Sequence, residues 1–262
     1  MSQPHGVFRE DIDGYTGPLI HLEFEKDASH IFCKAHPVPL AMQRPIEDEL
    51  GCLQHQGILS PIHHSDWVTP QVPVRKNDGT LCLCSDYRST VNAVAKKALY
   101  PLPTTAEVFA NLRGGTLFST LDLYQAYQQL IVDDETAVLL TVNTTKELFR
   151  VNGLPIRVST EPAIFQRMME VTLAGIPGVS VYLDDASNHG YWLEQVLARL
   201  SERDRRLRKN KCHFGITLVE LLGYRIDANG VHATESKMKT ILRAPKTTDK
   251  TSLRAFLGLI SF

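Results

Sequence analysis

Apolar positions along the chain follow two rhythms, one of three to four residues and one of two. In the first, Ile46, Leu50 and Leu53 fall on one helical face after a Pro-punctuated stretch at 37–45, and Gly57 supplies a stop signal. Thr104, with Glu107 three positions later, has the pattern of a capped helix running to Leu112 before Gly114-Gly115 breaks it. Pro162 stands near a helix start, where proline is tolerated, and Ala163, Phe165, Met169 and Leu173 include that helix's apolar face. Residues 193–208 read as one helical pattern. Thr234 is a good N-cap for a helix through Arg243 that Pro245 ends, and residues 251–259 begin another. The two-residue rhythm marks strands. Residues 71–75 and 81–84 flank Asn77-Asp78-Gly79, a strong hairpin signal. Residues 139–143 and 148–151 read as a second hairpin, residues 211–215 and 219–226 as two further strand-like pieces. Residues 1 to about 30 are polar and Gly-dotted, with one strand-like segment at 20–24.

Two apolar, β-prone runs end in acids. Val179-Ser180-Val181-Tyr182-Leu183 leads into Asp184-Asp185, and Thr116-Leu117-Phe118-Ser119-Thr120-Leu121 leads into Asp122. Adjacent strand residues face opposite ways, so Asp184 and Asp185 project together only if the strand turns there. Acids at the end of a buried strand are costly to desolvate without a cation or hydrogen bonds. Two Asp that simply begin a turn are the plainer reading. If the two strands are neighbours, the three carboxylates form an oxygen-donor site for hard divalent cations such as Mg²⁺. Two such ions ~4 Å apart activate an attacking hydroxyl and stabilise a leaving pyrophosphate.

The chain has 262 residues, 43% hydrophobic and 22% charged, which fits one large globular domain or a few small subdomains sharing a core. No apolar run approaches the ~20 residues of a membrane helix. Met1-Ser2-Gln3-Pro4-His5-Gly6 lacks the basic and apolar regions of a signal peptide. Cys33, Cys52, Cys82, Cys84 and Cys212 are odd in number and scattered, which suggests free thiols in a reducing, intracellular compartment. Neither Cys82-x-Cys84 nor Cys212-His213 has the partner pair of a zinc site. The net charge of −1 gives no argument for nucleic acid. A local block does: Arg199, Arg203, Arg205, Arg206, Arg208, Lys209 and Lys211 would form a basic helix face, either tracking phosphates or simply solvated.

Leu121-Asp122-Leu123-Tyr124-Gln125-Ala126-Tyr127 and Tyr182-Leu183-Asp184-Asp185 resemble two catalytic motifs of reverse transcriptases, in particular those of gypsy-class LTR retrotransposons and their retroviral relatives. The resemblance runs from about Phe32 to the C-terminus. It implies an α+β right hand of fingers, an antiparallel palm sheet backed by helices, and a partial thumb. Residues 1–35 would be an N-terminal extension, 36–226 fingers and palm, and 227–262 the truncated start of the thumb or connection. The implied activity is RNA-directed DNA polymerisation, with Asp122, Asp184 and Asp185 holding two Mg²⁺ ions, or Mn²⁺. Lys76 and Arg88 would serve the nucleotide phosphates, and Tyr127 would exclude a ribose 2′-hydroxyl. Pro155 would lie beneath the templating base, and Leu222, Gly223 and Tyr224 would hold the primer end. The implied partners are an RNA or DNA template with primer, dNTPs, and other Pol domains such as RNase H and integrase, with no membrane. The implied setting is the cytoplasm or a virus-like particle.

Four departures from the family pattern support an alternative, a catalytically inactive relic that keeps at most nucleic-acid binding. Cys82 stands where the family usually has an Arg that contacts nucleotide phosphates. Ile156-Arg157 replaces the usual Phe-Gly or Gln-Gly, and Arg157 adds bulk and charge where Gly permits close backbone approach. Ala186-Ser187-Asn188-His189-Gly190-Tyr191-Trp192 leads directly into a helical pattern, so most of the second strand of the acid-bearing hairpin is expected to be missing. The thumb stops short at Phe262.

Overall fold

The structure is a computed structural model and describes residues 6–9, 17–25, 28–75, 79–182, 185–189 and 192–261. In chain order its elements are α1 (Leu40–His55), β1 (Leu59–Ile62), β2 (Thr69–Arg75), β3 (Leu81–Ser85), α2 (Val91–Val94), α3 (Thr105–Leu112) and β4 (Phe118–Asp122). Then come α4 (Asp134–Leu139), β5 (Val142–Asn143), β6 (Leu148–Val151), α5 (Glu161–Leu173), β7 (Val179–Tyr182), β8 (Asp185–His189) and α6 (Leu193–Glu202). The chain continues through β9 (His213–Ile216), β10 (Leu218–Leu221), β11 (Tyr224–Asp227), β12 (Gly230–Ala233), α7 (Glu235–Leu242) and α8 (Lys250–Ser261).

These strands build an α+β fold with three sheets. The central one is antiparallel throughout, in the order β7-β8-β4-β9. Helices α3 and α5 pack against β7, and α6 packs on α5. A second sheet, β1-β6-β5-β2-β3, contains the hairpin β2–β3 and one parallel pair, β2 with β5. The third, β10-β11-β12, is a meander that leads into α7 and α8.

Strand β4 divides two cores. Leu121 joins the main cluster with Leu123, Phe149, Phe165 and Met169, while Phe118, on the opposite face of the same strand, joins Val108, Leu112, Val219 and Ile226. With both faces covered, β4 is held in register by packing as well as by hydrogen bonds. The N-terminal segment contributes to the main cluster through Val7, Ile20 and Leu22. Ile20 exchanges backbone hydrogen bonds with Ile131 and Asp133 at 2.8 and 3.0 Å.

Several sequence expectations are corrected here. The second strand of the acid-bearing hairpin is present: β8 pairs with β7 on one side and β4 on the other. Its sequence, Asp-Ala-Ser-Asn-His, has no β-branched or large apolar residue, so it carries no strand pattern. Two neighbouring strands impose the conformation by taking up its backbone groups. Helix α1 begins at Leu40 and runs through Pro45, although proline offers no N–H to the carbonyl one turn back. Residues 219–226 are a hairpin rather than one strand, turning at Leu222 and Gly223 with φ of 53° and 75°. The strand expected from 139 begins only at Val142, because Leu139 closes α4. The capped helix is as expected: the Thr104 hydroxyl accepts from the Glu107 N–H, and the Glu107 carboxylate accepts from the Thr104 N–H at 2.7 Å. The 193–208 helix stops at Glu202.

Candidate functional site

The site grows from the end of β4. Asp122 is the last residue of that strand and stands directly opposite Asp185, the first residue of β8. Directly opposed residues are the closest cross-strand neighbours in an antiparallel pair. Tyr182 ends β7 and pairs with Asp185, and Asp184 lies outside the described residues.

The Asp122 carboxylate is four-fifths buried, with Arg208 Nε 3.8 Å from Oδ1 and Lys211 Nζ 3.7 Å from Oδ2. Both contacts are charge neighbours, too long for hydrogen bonds. Oδ1 is therefore a buried acceptor with no hydrogen-bond partner among the described residues. A desolvated carboxylate oxygen of this kind, beside a register-matched second Asp, fits a hard divalent cation that takes oxygen donors.

The two cations reach Asp122 through a segment that overturns the expected basic helix face. Helix α6 ends at Glu202, Asp204 turns the chain at φ 51°, and Leu207 is fully buried. Burying Leu207 against Leu123 draws Arg205 and Arg206 inside, to 1% and 5% exposure. Residues 206–208 then run antiparallel to the site turn: Tyr124 N–H donates to the Arg206 carbonyl at 2.9 Å, and Arg208 N–H to the Asp122 carbonyl at 2.9 Å. Gln129 locks the pair. Its Oε1 accepts from Arg206 N–H at 2.8 Å, while its Nε2 donates to the Arg206 carbonyl at 3.0 Å and to the Tyr124 carbonyl. Arg205 Nη1 in turn donates to the Gln129 carbonyl at 3.1 Å. Sequence reasoning missed this Gln; a polar residue flanked by Ala126, Tyr127 and Leu130 was the one available signal.

A cleft of about 290 Å³ opens beside Asp122, with Cys82, Tyr127, Ile156, Arg208 and Lys211 among its walls. Tyr127 rides on a short 3-10 helix, Ala126–Gln129, and its ring packs on Phe165 of α5 at 4.8 Å between centroids. Tyr127 is thus half-buried and also lines the cleft. Gly153 backs this helix so closely that a Cβ there would run into the Gln128 carbonyl. Arg157 sits at φ 75°, a backbone conformation that glycine adopts freely and arginine does not. Asn92 clamps this turn: its Nδ2 donates to the Arg157 carbonyl at 2.8 Å and its Oδ1 accepts from Ser159 N–H at 2.7 Å.

The remaining expected residues are dispersed. Lys76, with Asn77 and Asp78, lies outside the described residues. Arg88 is not part of the cleft wall; it is exposed and bound to Asp86 by two 2.8 Å hydrogen bonds, which hold the Asp86 carboxyl down at about 2. Pro155 is buried next to Ile156. Leu222 and Gly223 line a different cavity, of about 660 Å³, with residues of α7 and α8. Tyr224 beside them carries Lys237 Nζ 4.1 Å over its ring and packs on Phe109.

A family profile described as reverse transcriptase (RNA-dependent DNA polymerase) matches residues 74–226. The uncharacterized protein K02A2.6 of Caenorhabditis elegans is 31% identical over 96% of this chain and 20% of its own length. The retrovirus-related Pol polyprotein from transposon opus of Drosophila melanogaster is 29% identical over 88% of this chain and 24% of its own. The chain thus spans a fifth to a quarter of these relatives. Among solved structures, the foamy viral protease-reverse transcriptase in complex with double-stranded DNA superposes with a TM-score of 0.84 at 22% identity, covering 98% of this chain and 46% of that one. The same viral protein in complex with an RNA/DNA hybrid gives 0.80 at 22% identity, covering 98% and 36%. At that identity the likeness is one of fold.

Two substitutions test this geometry. Gln129→Leu removes the buried hydrogen bonds that its amide makes to the Arg206 N–H and to the Arg206 and Tyr124 carbonyls, and is expected to cost about 3 kcal/mol in urea unfolding, whereas a loss under about 1 kcal/mol would contradict the clamp. Arg157→Gly relieves the left-handed backbone and is expected to raise stability by about 1 kcal/mol in the same assay, where lowered stability would show that Arg157 is not strained.

Proposed function

Because the chain belongs to the reverse transcriptase family, we propose that it catalyses template-directed nucleotidyl transfer to a primer 3′-hydroxyl, the RNA-directed DNA polymerase reaction. It is a reverse transcriptase domain of the kind carried by retrotransposon and retroviral Pol polyproteins; gypsy-class descent is our finer reading. The observation that supports activity is the opposition of Asp122 to Asp185, at a cleft that Tyr127 also lines.

In this reading Asp122, Asp184 and Asp185 hold two Mg²⁺ ions, or Mn²⁺. When bound, such ions activate the attacking hydroxyl and stabilise the leaving pyrophosphate. The protein's own groups do the positioning. Tyr127, braced on Phe165, limits the space at the sugar and so selects deoxynucleotides. Arg208 and Lys211 keep positive charge at the cleft wall, where a triphosphate's negative charge is met. Lys76 and Arg88 serve the same phosphates, Arg88 by leaving Asp86. Pro155 supports the templating base, and Leu222, Gly223 and Tyr224 hold the primer end. Residues 1–35 act as an N-terminal extension, 36–226 as fingers and palm, and 227–262 as the beginning of the thumb. The template is RNA or DNA with a primer, the substrates are dNTPs, and other Pol domains, RNase H and integrase, are its partners in this reading.

A second reading, an inactive relic that binds nucleic acid at most, draws on Cys82 in the cleft wall and on the strained Arg157 beside it in sequence to Ile156. Primer extension on an RNA template with Mg²⁺ and dNTPs separates the two. Extension by the wild type and a loss of at least ~10³-fold in Asp122→Asn is the expected result. Equal extension by both proteins would overturn the assignment of Asp122. No extension by folded wild type, together with salt-sensitive template binding, would favour the relic.

A further inference from the structure

Beside the cleft stands a pair of thiols, one of them in its wall, that the polymerase reaction does not use. Cys82 and Cys84 are two residues apart on β3, so both project from the same face of the strand. The Cys84 thiol donates to Cys82 Sγ at 3.9 Å between sulfurs. Cys82 is half-buried and lines the cleft with Asp122, whereas Cys84 is buried behind it. None of the five cysteines is disulfide-bonded. Among the described residues no third His, Cys, Asp or Glu completes a metal-ligand cluster with them. That argues against a tetrahedral thiolate metal site, which takes four ligands. A half-buried thiol at a cleft, with a second thiol within reach, is instead the arrangement of an oxidisable sulfur and its resolving partner.

We propose that Cys82 and Cys84 form an oxidation site in the cleft wall, which a hydroperoxide converts to an intrachain disulfide. In the first step Cys82 sulfur attacks the peroxide O–O bond. An S–O bond forms, the O–O bond breaks, the thiol proton leaves on the departing alcohol or water, and Cys82 becomes a sulfenic acid. In the second step Cys84 sulfur attacks that sulfur, forming the S–S bond and releasing the sulfenic oxygen as water with the Cys84 proton. The peroxide is reduced by two electrons and the pair of thiols is oxidised by two. Residues i and i+2 of an antiparallel strand such as β3 are ~6.8 Å apart at Cα, at the upper limit of ~6.8 Å for a disulfide. The bond is therefore formed under strain and is readily returned to the dithiol by a reducing thiol. Closing it draws the sulfurs together and alters the wall that Asp122 shares.

The chemistry is tested without any polymerase assay, so it stands or falls apart from the reading of Asp122. The folded wild-type chain is treated with hydrogen peroxide and then alkylated, digested and analysed by mass spectrometry. The expected result is loss of two hydrogens within the peptide that holds Cys82 and Cys84, reversed by dithiothreitol. In Cys84→Ser the reaction is expected to stop at a Cys82 sulfenic acid, trapped by dimedone. Wild-type protein that gives Cys82 sulfinic acid with no disulfide, or that loses hydrogens only through Cys52 or another cysteine, would overturn the proposal.

Discussion

The site depends on one pairing, that of β4 with β8. It places Asp122 opposite Asp185 and puts β8 between β7 and β4. A slip of one residue would move every side chain of β8 to the other face. The register is protected on the β4 side, where Leu121 and Phe118 are buried in different cores. It is fastened at the strand end by the segment that Gln129 ties to Tyr124. The same clamp brings Arg208 and Lys211 to the Asp122 carboxylate, so charge, register and packing meet at one residue.

Much of this organisation was legible in the residues. The capping pair Thr104 and Glu107, the hairpin around Gly79 and the two acid-terminated runs rest on local chemistry, and local chemistry is visible in a sequence. What was not legible depends on distant partners. Strand β8 has no apolar alternation because its conformation comes from its neighbours. The basic block looked like a solvated helix face, yet Leu207 pulls Arg205 and Arg206 inside, where backbone carbonyls and the Gln129 amide receive them. Gln129 and Asn92 bond the backbone of Arg206 and Arg157, more than sixty residues away, and those distant pairings are not visible in the local sequence. The turn at Leu222 and Gly223 reads as a straight strand in the sequence because its positive φ angles are marked by a single glycine.

The departures from the family pattern differ in physical kind. The short segment after Asp185 is no defect of the sheet, because five residues are enough to bridge β7 and β4. Arg157 is a local strain, contained by the two hydrogen bonds from Asn92. Cys82 puts a thiol in a wall where Arg208 and Lys211 also stand, so the cleft keeps positive charge near Asp122. None of these features breaks the pairing that sets Asp122 opposite Asp185.

The most direct measurement is Mn²⁺ binding followed by electron paramagnetic resonance, in wild type and in Asp122→Asn and Asp185→Asn. If the β4–β8 register builds a shared carboxylate site, each substitution alone weakens binding by ~10-fold or more. Binding that survives Asp185→Asn unchanged would mean that Asp122 and Asp185 do not act on one ion, and the account of the site would fail.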